Sequence, residues 1–254
     1  MSSLKAFDDS KFINKDTVKL YCNTNEEFLV ERVRGIIVEL PGLGGGSCLG
    51  GGMELQSYDS DFAIECGKHG VLVAYVFPGP WSWGNKGAIR VTDAVVRALS
   101  DKYELGEVFP LCVCGGSMGG EGSLNYACDT KLNLTACASA CPACDLAETM
   151  RSYPDFPRTI ISSVACYDIP LDAAIDSLSP INRIKELPDI PYYICSDGDD
   201  ECCPSETCDR MVDEMKGREL KVIYRQQPGL KHGEFTSEVW GEIHEFLLNK
   251  ALGK

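Results

Sequence analysis

One serine, three histidines and a short acidic run carry the chemistry this sequence can do. Ser117 lies in Gly115-Gly116-Ser117-Met118-Gly119-Gly120, directly after the apolar run Val108–Cys114 and before a helix-like segment. G-x-S-x-G between a buried strand and a helix holds a serine exposed on a sharp, strained turn. Its neighbours must lack side chains for the chain to fold back on itself. Alone, the pattern also fits a glycine-rich turn that binds phosphate. Its meaning depends on a base and an acid further along the chain.

His69, His232 and His244 are the only histidines. His69 precedes an apolar run, which puts it at the wrong edge of any parallel sheet. His244 falls inside the closing helix and reads as a surface or packing residue. His232, in Gly229-Leu230-Lys231-His232-Gly233, follows the last strand and is the one placed to take a proton from Ser117 and return it to a leaving group. The acid that would orient it should come from the loop after the preceding strand, Ser196-Asp197-Gly198-Asp199-Asp200-Glu201. Four carboxylates compete there: Asp200 is preferred, then Asp199, then Asp197. Crowding raises the pKa of some of them. The others read as a solvated acidic turn.

The elements that must position these residues follow from periodicity. Thr17–Cys22, Phe28–Val33, Ile36–Leu40, Val71–Phe77, Val108–Cys114, Leu134–Ala140, Ile190–Cys195 and Leu220–Arg225 read as strands. Ser60–His69, Gly87–Lys102, Gly120–Cys128, Ser205–Met215 and Ser237–Leu248 read as helices. Strands alternating with helices predict an α/β fold: a mostly parallel twisted sheet with helices on both faces, as one domain over 1–254. Residues 141–185, rich in proline and poor in pattern, predict a small cap inserted after the sixth strand. In such a sheet, ligands bind beyond the carboxyl ends of the strands. The loops after Leu40, Phe77, Cys114, Ala140, Cys195 and Arg225 should therefore converge.

The net charge of −14 over 254 residues argues against a nucleic-acid or anionic-membrane partner. No apolar run is long enough to span a bilayer, and Met1–Phe12 has no signal-peptide pattern, so a cytoplasmic location is expected. In a reducing compartment the 14 cysteines should be free thiols, several of them, such as Cys112, Cys114, Cys137 and Cys195, acting as small buried hydrophobes. Cys141 and Cys144, with Cys202, Cys203 and Cys208, could in principle meet around zinc, but their spacing is irregular. No metal and no cofactor are expected.

The chain resembles an α/β-hydrolase over nearly its full length, in particular the branch of dienelactone hydrolases and prolyl-oligopeptidase-like esterases. The resemblance is carried by Gly115–Gly120, Ser179-Pro180-Ile181-Asn182, Ile190-Pro191 with the stretch to Pro204, and His232-Gly233. The order Ser117, Asp200, His232 is that of the superfamily. A D-x-x-V-P-like segment implies Asp200 as the acid, with Cys203 in place of the valine. The likeness also implies an oxyanion hole made by the backbone N–H of Met118 and of Leu43, with Gly44 the fallback, since Pro41-Gly42-Leu43 replaces the usual His-Gly-x. Trp81 and Trp83, after a strand end, are candidates to line the substrate pocket or to anchor packing. A serine esterase acting on small acyl esters, acylated carbohydrates among them, is the leading expectation. A prolyl-oligopeptidase-like peptidase is an alternative, although the residues before Ile36 are too few for its usual gating domain. A non-catalytic ligand-binding relative is the third. The resemblance leaves the oligomeric state open.

Overall fold

The computed structural model describes residues 9–43 and 58–254. Its centre is a seven-stranded sheet in the order β1-β3-β2-β4-β5-β6-β7. The strands are β1 (Cys22–Thr24), β2 (Gly35–Leu40), β3 (Val71–Val76), β4 (Leu111–Gly116), β5 (Ala136–Ala140), β6 (Tyr192–Asp197) and β7 (Val222–Gln227). Only β1 runs antiparallel, against β3; the other five pairings are parallel.

Alternating side chains build two cores. Ile36, Val38 and Val113 face one side, with α2 (Lys86–Tyr103), α3 (Met118–Asp129) and α7 (Ser205–Gly217) over them. Ile37, Cys112 and Cys114 face the other, under α1 (Asp61–Lys68) and α8 (Ser237–Ala251). Because both of their faces are covered, the central strands β2, β3, β4 and β5 are buried along most of their length, whereas in the edge strand β7 Ile223, Arg225 and Gln226 are exposed. Helices α1, α2 and α8 start where a side chain accepts an orphan amide proton. Ser60 accepts from Ala63 N–H, Asn85 from Ala88 N–H and Thr236 from Val239 N–H. In α8, Val239, Ile243, Leu247 and Ala251 form a stripe at i, i+4 that seals the second core.

Two N-terminal expectations are corrected. Thr17–Cys22 is not a strand: Val18–Leu20 is a single 3₁₀ turn, with Val18 buried and Leu20 68% exposed, and the strand begins at Cys22. Phe28–Val33 is not a strand either. Val30 is exposed, and the amides of Val30 and Arg34 donate to the carbonyls of Gly67 and Gly70, so this segment follows the end of α1 instead of joining the sheet. The insertion at 141–185 therefore follows the fifth strand, not the sixth. It contains α4 (Leu146–Ser152), α5 (Phe156–Val164) and α6 (Leu171–Asp176), packed in a third apolar cluster that also takes in Trp83, Met118 and Cys203. The glycine-rich run at 44–46 and 50–52 lies outside the described residues.

Every described cysteine is a free thiol. Cys112, Cys114, Cys137 and Cys195 are buried in the cores, where desolvation pushes their thiols up. Among the described residues, no helix is long and apolar enough to cross a membrane.

Candidate active site

Since β2, β4, β5, β6 and β7 are parallel, the segments that follow them leave the same edge of the sheet. Ser117 is the residue between β4 and α3, with φ 58° and ψ −124°. That backbone conformation is costly for a residue with a side chain and persists only where the surroundings enforce it. Here the Ser117 N–H donates to Ala140 O (2.9 Å) at the end of β5, and Ser117 O accepts from Glu121 N–H (3.0 Å) in α3. Helix and strand approach so closely that two glycines are obligatory. A Cβ on Gly119 would lie 2.2 Å from Leu40 O, and one on Gly115 would lie 2.4 Å from Gly119 O.

His232 stands in the loop after β7, between Gly229 and Gly233, both at positive φ. Its Nε2 lies 2.8 Å from Ser117 Oγ, and its Nδ1 lies 2.6 Å from Asp200 Oδ2. The imidazole is a quarter exposed, and the Asp200 carboxylate is fully covered. Asp200 Oδ1 accepts the backbone N–H groups of Cys202 and Cys203, each at 2.8 Å. Three hydrogen bonds thus compensate a buried charge. Burial disfavours a charged imidazole, but the hydrogen bond to Asp200, reinforced by the neighbouring Cys141 sulfur and by the Asp200 charge, outweighs it and holds His232 above its ordinary pKa. With Nδ1–H given to Asp200, Nε2 is the nitrogen free to take the Ser117 proton.

The four-way competition in the acidic loop resolves by position. Asp199 and Glu201 point to solvent, and Asp199 N–H ties the loop to Leu230 O (2.9 Å). Asp197 is fully buried, but its Oδ2 accepts the Gly233 N–H (2.8 Å), so it holds the histidine loop rather than the histidine. Burial raises its carboxyl to about 6, helped by the Asp200 charge and opposed by the Gly233 bond. Its Oδ1 has no partner.

Met118 opens α3, and its N–H belongs to the first helical turn, where amides lack intrahelical acceptors. Leu43 is the last residue described before the gap. The loop that carries it touches the elbow, since a Cβ on Gly42 would lie 3.9 Å from Ser117 Cβ. Gly44 lies outside the described residues. Trp83 is 1% exposed; its indole N–H donates to Thr159 Oγ1 (3.0 Å) and its ring meets the Phe156 ring edge-on. It anchors α5 from within the core. Trp81 is half-buried, with the Arg158 guanidinium over its ring. Leu43, Trp81, Tyr167 and Cys202 pack against the apolar cluster that joins Met118 of the elbow to α4, α5 and α6 of the insertion. His69 is exposed and faces Glu65, and His244 stacks on Phe62; the imidazole that meets Ser117 Oγ is that of His232.

Sequence reasoning missed Glu121 and took Cys141 only as a member of a cysteine group, not as a neighbour of His232. Cys141, the residue after β5, is buried against His232 and Asp200. Its position at a strand's carboxyl end was the available signal. Glu121, one turn into α3, is wholly buried; desolvation raises its carboxyl well above the ordinary range. Asn125 Nδ2 donates to Glu121 Oε1 (2.5 Å) and to Leu178 O (2.7 Å), and Arg183 donates to Asn125 Oδ1 (2.9 Å). This chain of bonds ties the helix behind Ser117 to the segment closing the insertion, and no local pattern announces it. The two cysteine groups do come together, with Cys203 beside Cys141 and Cys144 beside Cys208.

No family model matches the sequence, and no curated protein matches it. Solved structures do resemble it. A puromycin hydrolase is 19% identical with a TM-score of 0.68, over 88% of this chain and 35% of that one. Esterase B from Lactobacillus rhamnosis is 14% identical with a TM-score of 0.60, over 87% of this chain and 78% of that one. The acylaminoacyl peptidase of Pyrococcus horikoshii is 15% identical with a TM-score of 0.70, over 88% of this chain and 38% of that one. The chain thus spans little more than a third of the puromycin hydrolase and acylaminoacyl peptidase chains. At these identities the likeness concerns architecture alone. The chain has the α/β-hydrolase fold.

Proposed function

We propose that this protein is a serine hydrolase that cleaves carboxylic esters of small acyl groups. The observation that carries the reading is the unbroken line from Ser117 Oγ through His232 to the buried Asp200, at 2.8 and 2.6 Å. In this reading Ser117 attacks the ester carbonyl while His232 takes its proton. Asp200 holds the tautomer and balances the imidazolium. The tetrahedral oxyanion receives the N–H of Met118 and of Leu43. His232 then protonates the leaving alcohol, and water releases the acyl group by the same route in reverse. The elbow's strained backbone supports a reacting role, since such conformations are kept where function needs them. Helices α4–α6 act as a small cap, and Trp81 and Leu43 form an apolar wall for the acyl group.

A peptidase is the second reading. It is favoured by the likeness to the puromycin hydrolase and the acylaminoacyl peptidase, whose chains this one covers only in part. Esterase B supports the first. Hydrolysis of p-nitrophenyl acetate, compared with that of an aminoacyl p-nitroanilide, separates them. The ester reading expects a much larger kcat/KM for the acetate; a larger value for the anilide overturns it in favour of the peptidase.

A further inference from the structure

Cys141 has no part in the hydrolysis described above, yet it is among the most constrained residues near it. It takes φ 38° immediately after β5, a conformation rare for any residue but glycine. Its N–H is fixed to Cys195 O (2.8 Å), and the residue is 4% exposed. The consequence is that Cys141 Sγ, a His232 ring nitrogen and an Asp200 carboxylate oxygen all lie within 4.8 Å of one another. A thiol, an imidazole and a carboxylate are the three ligand types that a zinc-like ion takes. From these observations we infer that the site binds a thiophilic divalent cation, zinc or cadmium, through Cys141, His232 and Asp200, and that this cation switches the site off.

Three arguments support the site. Bond lengths of about 2.0–2.3 Å place tetrahedral ligand atoms roughly 3.3–3.8 Å apart, so the side chains need to shift by only about 1 Å. One thiolate and one carboxylate neutralise a dication, which a buried site requires. The second oxygen of Asp200 is already fixed by two backbone N–H groups, the kind of outer support that orients a metal ligand. With three protein ligands, the fourth position stays open for water. The soft sulfur and the imidazole disfavour magnesium and calcium.

Binding releases the Cys141 thiol proton to solvent. If the cation takes Nε2, it displaces Ser117 Oγ from its acceptor. If it takes Nδ1, the proton shared with Asp200 moves to Nε2 and the ring stays neutral. In both cases Ser117 loses the lone pair that would receive its proton. The inhibition rests on His232 acting as the base, as proposed above; the binding does not.

Chelator-treated full-length protein is titrated with cadmium. Binding is read by equilibrium dialysis and by the ultraviolet thiolate-to-cadmium charge-transfer band, and activity by p-nitrophenyl acetate hydrolysis. The parent protein and Ser117→Ala should each bind one ion per chain with the band. The parent's hydrolysis should fall in step and return on adding EDTA, while magnesium has no effect. Cys141→Ser should lose the band and need at least about tenfold more cadmium for inhibition, and His232→Ala should weaken binding at least about tenfold. A band of unchanged affinity in Cys141→Ser, or no band in the parent, overturns the site. If no hydrolysis is found at all, the band in Ser117→Ala still decides the metal site, and the hydrolase reading fails separately.

Discussion

Asp197 gives the sharpest energetic prediction. Its carboxyl is fully buried behind the histidine loop, with one oxygen on the Gly233 N–H and the other without a partner. Burial raises its pKa from 3.8 to about 6. In the native protein it therefore keeps its proton over a pH range in which the unfolded chain has lost it. Where the native state binds more protons, stability falls as pH rises. Two pKa units at about 1.4 kcal/mol each give a total loss of about 3 kcal/mol, complete once pH exceeds the native pKa. Roughly half of it, about 1.5 kcal/mol, falls between pH 5 and pH 7.5. Asp197→Asn removes this titration while keeping an acceptor for the Gly233 N–H. Its effect on packing is the same at every pH, so the slope is the test. Urea unfolding of both proteins at pH 5, 6 and 7.5 should show the variant gaining about 1.5 kcal/mol on the parent across that range. Parallel stability curves would refute a raised native pKa at Asp197.

Gly119→Ala drives a methyl into Leu40 O and should cost about 3 kcal/mol or more, whereas Gly116→Ala, whose Cβ has nothing nearer than 3.9 Å, should cost under about 1 kcal/mol. Urea midpoints compare the two directly. Trp83→Ala should lower stability by about 3–5 kcal/mol through the cavity it leaves under α5. Trp81→Ala, at the half-buried wall, should instead raise KM for longer acyl esters with little change in the urea midpoint. Asp200→Asn should reduce kcat by roughly 10³–10⁴-fold. In the parent, activity needs neutral His232 and should be lost as pH falls through a pKa raised above the ordinary histidine value. Removing the Asp200 charge should move that limb to lower pH.

Much of the fold was legible because its central strands are buried on both faces. Runs such as Ile36–Leu40 and Val71–Val76 are continuous and β-branched, and they end at glycine and proline. The site was legible for a related reason. Parallel strands send their carboxyl-terminal loops to one edge, so Ser117, His232 and the acidic loop that carries Asp200 could be placed together from chain order. The N-terminal segment misled, because Val18 and Val33 are buried singly while Leu20 and Val30 are exposed. A short alternating pattern there reflects isolated inward contacts and not a pleated strand. The choice among the four acids depended on which carboxylate meets Nδ1 and which meets the Gly233 amide, a difference of three residues that periodicity does not encode. Cys141 and Glu121 act through contacts distant in sequence, with His232 for the first and, by way of Asn125, with Leu178 and Arg183 for the second. Trp83 read as a possible pocket residue because a tryptophan in a loop looks the same from sequence whether its ring faces a ligand or a helix.

The central claim is that Ser117 is a nucleophile activated by His232. Folded protein treated with a fluorophosphonate probe, digested and analysed by mass spectrometry, tests it most directly. The account predicts one modification per chain, on Ser117, with labelling lost in Ser117→Ala and slowed by about 10³-fold or more in His232→Ala. Labelling elsewhere, or a parent protein that stays unmodified while folded, would contradict it.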